Sequence, residues 1–131
     1  MAARFEDLDV WKLAEELKEE VFAFTGKPPA AKDFEYRDQI RDSARSAPRN
    51  ISEGFGRYYP SESVPFYRIA LGSLTETLNH LIDGHKRSFL TDAEYTRLRR
   101  LNLRGVKALK RWIEYLEGPA AARFNRPRPK R

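Results

Sequence analysis

The feature that most constrains the fold of this chain is a helical spacing of apolar residues that continues through a proline. Between residues 36 and 58, apolar side chains recur every three or four positions, and Pro48 lies in the middle of the series. A proline inside a helix removes one backbone donor and clashes with the carbonyl four residues earlier, so the helix must bend or break. Because the apolar phase is the same on both sides of Pro48, the pattern predicts one kinked helix.

Three other segments have the same helical periodicity, and none of any length alternates with a period of two. The four helices are predicted at residues 8–25, 33–59, 61–86 and 92–116. Long helices joined by short connections are typical of an up-down-up-down bundle. We therefore predict an all-α protein, an antiparallel four-helix bundle with a kinked second helix.

Two local signals refine this prediction. Thr91 and Glu94 are three residues apart before an apolar series, which is the pattern of a capping box at the start of the fourth helix. Gly72 and Ser73 lie in the middle of the third helix, where glycine lowers helix stability. We expect a close backbone approach by a neighbouring element to explain that glycine.

The composition fits one folded domain in a reducing compartment. The chain has 131 residues, enough for an ordinary core, and 40% of them are hydrophobic. It has no cysteine, no apolar run of membrane-spanning length and no signal-peptide pattern at its start. We expect a cytoplasmic protein without membrane contact, with the bundle at residues 1–118 and a flexible basic, proline-containing tail at 119–131.

Positive charge is concentrated in the last quarter of the sequence. The net charge is +6, yet residues 97–131 hold 12 basic and 2 acidic residues, so the preceding part of the chain is negative at −4. Such an asymmetry indicates a polyanionic partner or charge-driven self-assembly.

Five cations of the fourth helix form what we call the basic stripe. They are spaced three and four residues apart, which places them within about 80° around the helix. The stripe consists of Arg97, Arg100, Arg104, Lys107 and Arg111. The tail adds Arg123, Arg126, Arg128, Lys130 and Arg131. This pattern predicts salt-sensitive, sequence-independent binding to RNA or DNA phosphates.

Two other interpretations of the stripe remain open. It can be a solvated face, or it can serve subunit assembly by pairing with an acidic surface. The first helix carries such a surface at Glu15, Glu16, Glu19 and Glu20. A head-to-tail ring needs two different complementary surfaces, so this pairing is physically reasonable. The few nearby aromatic residues (Trp112, Tyr115 and Phe124) argue against base-specific reading of single strands.

A second set of polar residues lies among apolar and small positions of the second and third helices. It consists of Gln39, Asn50, Glu53 and Glu76. Buried polar groups are stable only when each is hydrogen-bonded. We interpret the four as a partly buried structural network that fixes the register of the helices.

Enzymatic patterns are weak in this sequence. A di-iron bundle needs Glu-x-x-His on two helices, whereas Glu76 stands four residues before His80. No glycine-rich phosphate loop or serine–histidine–acid order is present. A nuclease built on Glu53 and Glu76 with a divalent metal is the one enzymatic alternative. We predict a protein that is not an enzyme, without catalytic residues, metal or cofactor.

Four segments of the chain resemble a known family of bacterial four-helix-bundle proteins, some of which are encoded in intervening sequences of large-subunit ribosomal RNA genes. The resemblance covers about residues 5–117. Its matching segments are FEDLDVWKLA at residues 5–14, DQIR at 38–41, SAPRNISEG at 46–54 and IALGSLTE at 69–76. Ser52 stands where the family usually has alanine, and the tail from Arg123 lies outside the family pattern.

The resemblance implies more than the residues themselves do. It implies a homopentameric barrel of four-helix bundles. It also implies kinship with the accessory variability determinant of diversity-generating retroelements, a basic pentamer that binds nucleic acid and a reverse transcriptase. We therefore expect a homo-oligomer whose further partners are nucleic acid and, through this kinship, a reverse transcriptase.

Overall fold

The computed structural model describes residues 4–122, and four long helices account for most of them. They are α1 (Asp9–Thr25), α2 (Phe34–Phe55), α3 (Pro60–Lys86) and α4 (Asp92–Glu117). Short 3-10 helices at Phe5–Asp7 and Ala30–Lys32 and a final helix, α5 (Pro119–Ala122), complete the elements. The predicted all-α fold is confirmed.

Each long helix packs against its neighbours in sequence, and α4 closes the bundle against α1. The inward faces bury one continuous apolar core, in which Leu17, Ile40, Leu74 and Leu109 are almost fully inaccessible to solvent. None of the described helices is both long enough and apolar enough to cross a bilayer.

Helix α2 continues through its proline. Pro48 is buried inside a single helix of 22 residues, as the unbroken apolar phase predicts. The helix begins at a capping contact in which the Tyr36 amide donates to Asp33 Oδ1 at 3.0 Å. This amide holds the pKa of the Asp33 carboxyl below its ordinary value.

Three glycines of α2 and α3 have very different surroundings. A Cβ on Gly54 would lie 3.1 Å from the Tyr67 ring, and one on Gly84 only 2.1 Å from Tyr36 Oη, so both allow close packing. A Cβ on Gly72 would meet no described atom within 4 Å. The expectation that a neighbouring element of the chain approaches Gly72 is therefore wrong.

The bundle also continues a little further than the sequence indicates. Beyond Gly118, where the tail was expected to begin, residues 119–122 form α5, which contacts α4 and buries Ala121 completely. The remainder of the predicted tail, residues 123–131, lies outside the described residues.

Candidate nucleic-acid interface

Helix α4 holds the basic stripe on its solvent side. The Glu94 amide donates to Thr91 Oγ1 at 3.1 Å, and the Thr91 amide donates to Glu94 Oε1 at 2.9 Å, so the predicted capping box is confirmed. Leu98, Leu101 and Leu109 are buried against the core. Because these residues fix the inward face, the cations at intermediate positions point away from the core.

Four of the five stripe cations have no anionic partner in the described part of the chain. Arg100, Arg104, Lys107 and Arg111 are all exposed. Within residues 4–122 none of the four forms an ion pair. Their charges are therefore available to an external anion.

The fifth cation is engaged within the molecule. Arg97 Nε donates to Glu20 Oε1 of α1 at 2.6 Å, although the Arg97 side chain is 57% exposed. An exposed ion pair of this kind contributes little to stability, but it lowers the net charge at this end of the stripe. The structure thus reduces the set of free stripe cations to four.

The side of the stripe that faces α1 carries mixed charge. Arg104, Lys107 and Arg111 of α4 line a groove between the two helices, together with Ala108. The opposite wall, on α1, is lined by Asp9, Lys12, Leu13 and Glu16. These two carboxylates disfavour a phosphate deep in the groove, so the outer side of the stripe is the better contact surface.

The outer side of α4 is more uniformly basic and has an apolar centre. A shallow depression is lined by Tyr95, Thr96, Arg99, Arg100, Leu103, Arg104 and Lys107. The Leu103 side chain is 43% exposed. Arg99 donates to the Tyr95 hydroxyl at 2.9 Å. No carboxylate lines this depression in the described residues.

Aromatic residues near the stripe offer few free ring faces. Trp112 and Tyr115 stack on each other with centroids 5.8 Å apart, and Tyr115 is 48% exposed. Tyr95 stacks on His85 at 4.1 Å. The tail residue Phe124 lies outside the described residues, as do Arg123, Arg126, Arg128, Lys130 and Arg131.

Two cations balance half of the charge of the acidic surface of α1 inside the chain. Lys18 pairs with Glu15 and also lies 3.4 Å from Glu19. The Glu15 carboxylate beside it raises the pKa of the Lys18 ammonium above its ordinary value. Since Glu20 is bonded to Arg97, the exposed Glu16 is the least compensated acid of this surface. This weakens α1 as the docking partner of a neighbour's stripe.

The arginines of α2 differ from those of the stripe. Arg41 donates to Thr25 Oγ1 at 2.8 Å and lies over the Phe22 ring. Arg57 donates to Glu53 at 2.7 Å. Arg49 is exposed and has no ion pair with a described residue, so its substitution can serve as a control for substitutions in the stripe.

The four residues of the predicted polar network do not meet within the chain. Gln39 is exposed and donates weakly to Glu35 at 3.5 Å. Asn50 donates to the Ser46 carbonyl at 2.9 Å in its own helix. Glu53 and Glu76 point outward, with 54% and 62% of their side chains exposed. All four lie near the contact between α2 and α3 rather than inside it.

Other polar side chains bridge these helices instead. The hydroxyls of Ser43 and Thr77 lie 2.8 Å apart in the core, and Ser73 donates to Ser46 Oγ at 2.7 Å. On α4, the fully buried Asn102 donates to the Leu74 carbonyl at 2.8 Å. Serine and threonine at helical spacing are frequent on surfaces too, so the sequence gives little sign of these contacts.

Metal-binding geometry is not evident in this part of the chain. Among residues 4–122, no three histidine or carboxylate side chains come together in an arrangement that could hold a metal ion.

Comparison with known proteins identifies the relatives of this bundle. The family model described as 23S rRNA-intervening sequence protein matches residues 6–111. The chain belongs to this family. The matched region includes α1–α3 and the part of α4 that carries the stripe, so the stripe is part of the family domain and the tail is not. A comparison with curated proteins gives no match.

Proposed function

We propose that this protein is a non-catalytic nucleic-acid-binding protein that acts as a homo-oligomer, a pentamer by its family resemblance. The observation that supports binding is the set of four exposed cations on α4 without an anionic partner in the described chain. Because these cations lie on the rigid face of a capped helix, they present a fixed array to a phosphate backbone.

The spacing of the cations suits a backbone rather than a single phosphate. Arg100 and Arg111 are 11 residues apart, which corresponds to about 16 Å along a helix. Arginine and lysine side chains over this length can reach several successive phosphates. Such contacts position a nucleic acid but do not read its sequence.

An oligomer strengthens this mode of binding. Four contacts on one chain give weak binding at physiological salt, because each is screened. Several copies on one nucleic acid raise the apparent affinity through effective concentration. The family name refers to an intervening sequence of 23S rRNA, so a structured RNA duplex belongs among the probes.

The test is fluorescence polarisation at low salt with labelled duplex DNA, duplex RNA and single-stranded RNA of unrelated sequences. We expect binding to both duplexes with similar affinity for different sequences. Arg100→Glu with Arg104→Glu should weaken binding at least tenfold, since two attractive contacts become repulsive.

The matched control is Arg49→Glu, which reverses an exposed cation on α2. It should leave the affinity within about twofold, because α2 lies away from the stripe. A control loss half as large as that of the stripe variant, on a logarithmic scale, would show that only net charge matters, because the control reverses one charge and the stripe variant two. Absence of binding by the unchanged protein would contradict the proposed function. Loss of the oligomer in the stripe variant would instead assign the stripe to subunit assembly.

A further inference from the structure

The surface where α2 and α3 meet has features that the single chain does not explain. We call it the α2/α3 strip and define it by Glu53 of α2 and by Ile69, Gly72 and Glu76 of α3. The three α3 residues lie within about 60° around the helix. Ile69 is 52% exposed, and Gly72 faces open space.

Glycine at position 72 is the more informative of these features. In the interior of an exposed helix, glycine lowers stability by about 1 kcal/mol relative to alanine. No described atom lies within 4 Å of the position that a Cβ would take. This open space fits a surface that another molecule covers.

The charge of the strip restricts what covers it. Glu53 and Glu76 flank the exposed Ile69 and would repel a phosphate backbone. The exposed Arg49, four residues before Glu53, adds one cation beside the strip. Glu53 is bonded to Arg57, whereas Glu76 has only His80 Nε2 nearby, at 3.6 Å. A partner for this strip therefore needs an apolar centre between cations.

Helix α4 of the same protein has such a surface on the edge next to the basic stripe. We call it the α4 edge and define it by Arg99, Leu103 and Lys110, which lie within about 40° around the helix. Leu103 is 43% exposed, and neither cation forms an ion pair with a described residue. The stripe begins about 40° further around the helix, and its members Arg100 and Lys107 line the same depression as Arg99 and Leu103.

The spacings of the two surfaces agree. On the strip, Glu76 follows Gly72 by four residues, and on the α4 edge Leu103 follows Arg99 by four. Each separation corresponds to about 6 Å along its helix axis. Leu103 of a second copy placed over Gly72 would thus bring Arg99 to Glu76 if the helices are antiparallel.

The same placement also brings a cation of the second copy to Glu53. Ser46 contacts Ser73, which sets the level of α2 beside α3. Glu53 follows Ser46 by seven residues and so lies about 10 Å toward the start of α3. Lys110, seven residues after Leu103, would reach that level in the antiparallel partner.

From this complementarity we infer that the α2/α3 strip is a docking surface for the α4 edge of a second copy of this chain. The two surfaces differ, so the contact is head-to-tail and can close into a ring. This inference rests on the oligomer of the proposed function and names the surfaces that form it. It leaves Arg104 and Arg111, which lie about 100° or more around α4 from the centre of the edge, open to nucleic acid.

Light scattering after size exclusion, at micromolar concentration, tests the contact. The unchanged protein should be several times heavier than the 15.3 kDa chain. Ile69→Asp and Leu103→Asp should each reduce the mass to that of the single chain, with helical circular dichroism retained. Phe34→Asp is the matched control, since Phe34 is 65% exposed at the start of α2 and outside both surfaces; its mass should not change.

A charge exchange tests the register. Glu76→Arg and Arg99→Glu should each weaken association at least tenfold at low salt, and the double variant should restore it. Unchanged mass in the Ile69 and Leu103 variants, or no restoration by the double variant, would overturn the inference. A single chain that binds nucleic acid would overturn the contact and the oligomer but not nucleic-acid binding, whereas an oligomer without binding would overturn only the nucleic-acid binding of the proposed function.

Discussion

Gly84 makes room for a buried tyrosine that joins two helices. Tyr36 of α2 is 3% exposed, and its hydroxyl donates to the His80 carbonyl of α3 at 2.7 Å. Burial raises the pKa of Tyr36 above its ordinary value, so the ring stays neutral throughout the physiological range. A Cβ on Gly84 would lie 2.8 Å from Tyr36 Cζ, which is too close for any carbon contact.

At the residue scale we predict that Gly84→Ala destabilises the protein by about 1–3 kcal/mol. The ring must move and its hydrogen bond must lengthen, which outweighs the better helix propensity of alanine, about 1 kcal/mol. Urea unfolding followed by circular dichroism measures the change.

The control is Gly105→Ala on α4. Gly105 is also buried in a helix interior, yet its Cβ would lie 3.5 Å from Leu74 Cδ1, an ordinary contact. We expect this variant to be neutral or stabilising by up to about 1 kcal/mol. The packing explanation would be wrong if both glycines responded alike.

The stability of α4 at its first turn depends on pH through Glu94. The Thr91 amide donates to Glu94 and, as the main cause, lowers the pKa of the Glu94 carboxyl; Lys27 at 3.4 Å acts in the same direction. The carboxyl is thus more acidic in the folded chain than in the unfolded one. Its stabilisation is complete above the ordinary carboxyl pKa and is lost as the pH falls through the folded value.

At the element scale we predict that Glu94→Gln reduces the loss of stability on acidification from pH 6 to pH 3. The glutamine cannot titrate, so its contribution is the same at both ends of the range. Thermal melting at several pH values measures the difference. A Glu94→Gln variant that loses as much stability on acidification as the unchanged protein would contradict this role of Glu94.

Removal of the threonine hydroxyl of the capping box gives an independent prediction. Thr91→Ala removes the acceptor for the Glu94 amide, and loss of such a cap lowers the free energy of unfolding by about 1 kcal/mol. The loss should be present at neutral pH, because it does not involve titration. A Thr91→Ala variant as stable as the unchanged protein would contradict the role of the cap.

Local patterns predicted the elements well. The periodicity predicted all four helices, and the capping box at Thr91 and Glu94 placed the start of α4 because caps act over three residues. The end of α2 was less accurate: the sequence suggested about Tyr59, while the helix ends at Phe55, before Gly56 and the turn that precedes Pro60.

Contacts between distant residues were not predictable in the same way. Glu20 is 77 residues from Arg97, and nothing local to the stripe indicates that one of its five cations is engaged. Gln39, Asn50, Glu53 and Glu76 were expected to form one network, but helical spacing only placed them near the same helix contact. Whether side chains meet there depends on the rotation of two helices, which the sequence pattern does not specify.

At the scale of the whole molecule, the bundle divides its charges between two sides. The α4 side carries the free cations of the stripe and the α4 edge, whereas the α2/α3 strip presents two carboxylates around Ile69 with Arg49 beside them. Acids of α1 are mostly paired inside the chain. This arrangement allows one copy to contact the next with one set of groups and a nucleic acid with another.

The salt dependence of nucleic-acid binding tests the central claim most directly. The logarithm of the affinity for duplex falls with the logarithm of salt concentration by about 0.9 for each phosphate that a cation neutralises. We predict that Arg100→Ala with Arg104→Ala makes this slope less steep by about 1.8 for each subunit in contact, while Arg49→Ala leaves it unchanged. Identical slopes for all three proteins would contradict a phosphate-binding role for the stripe.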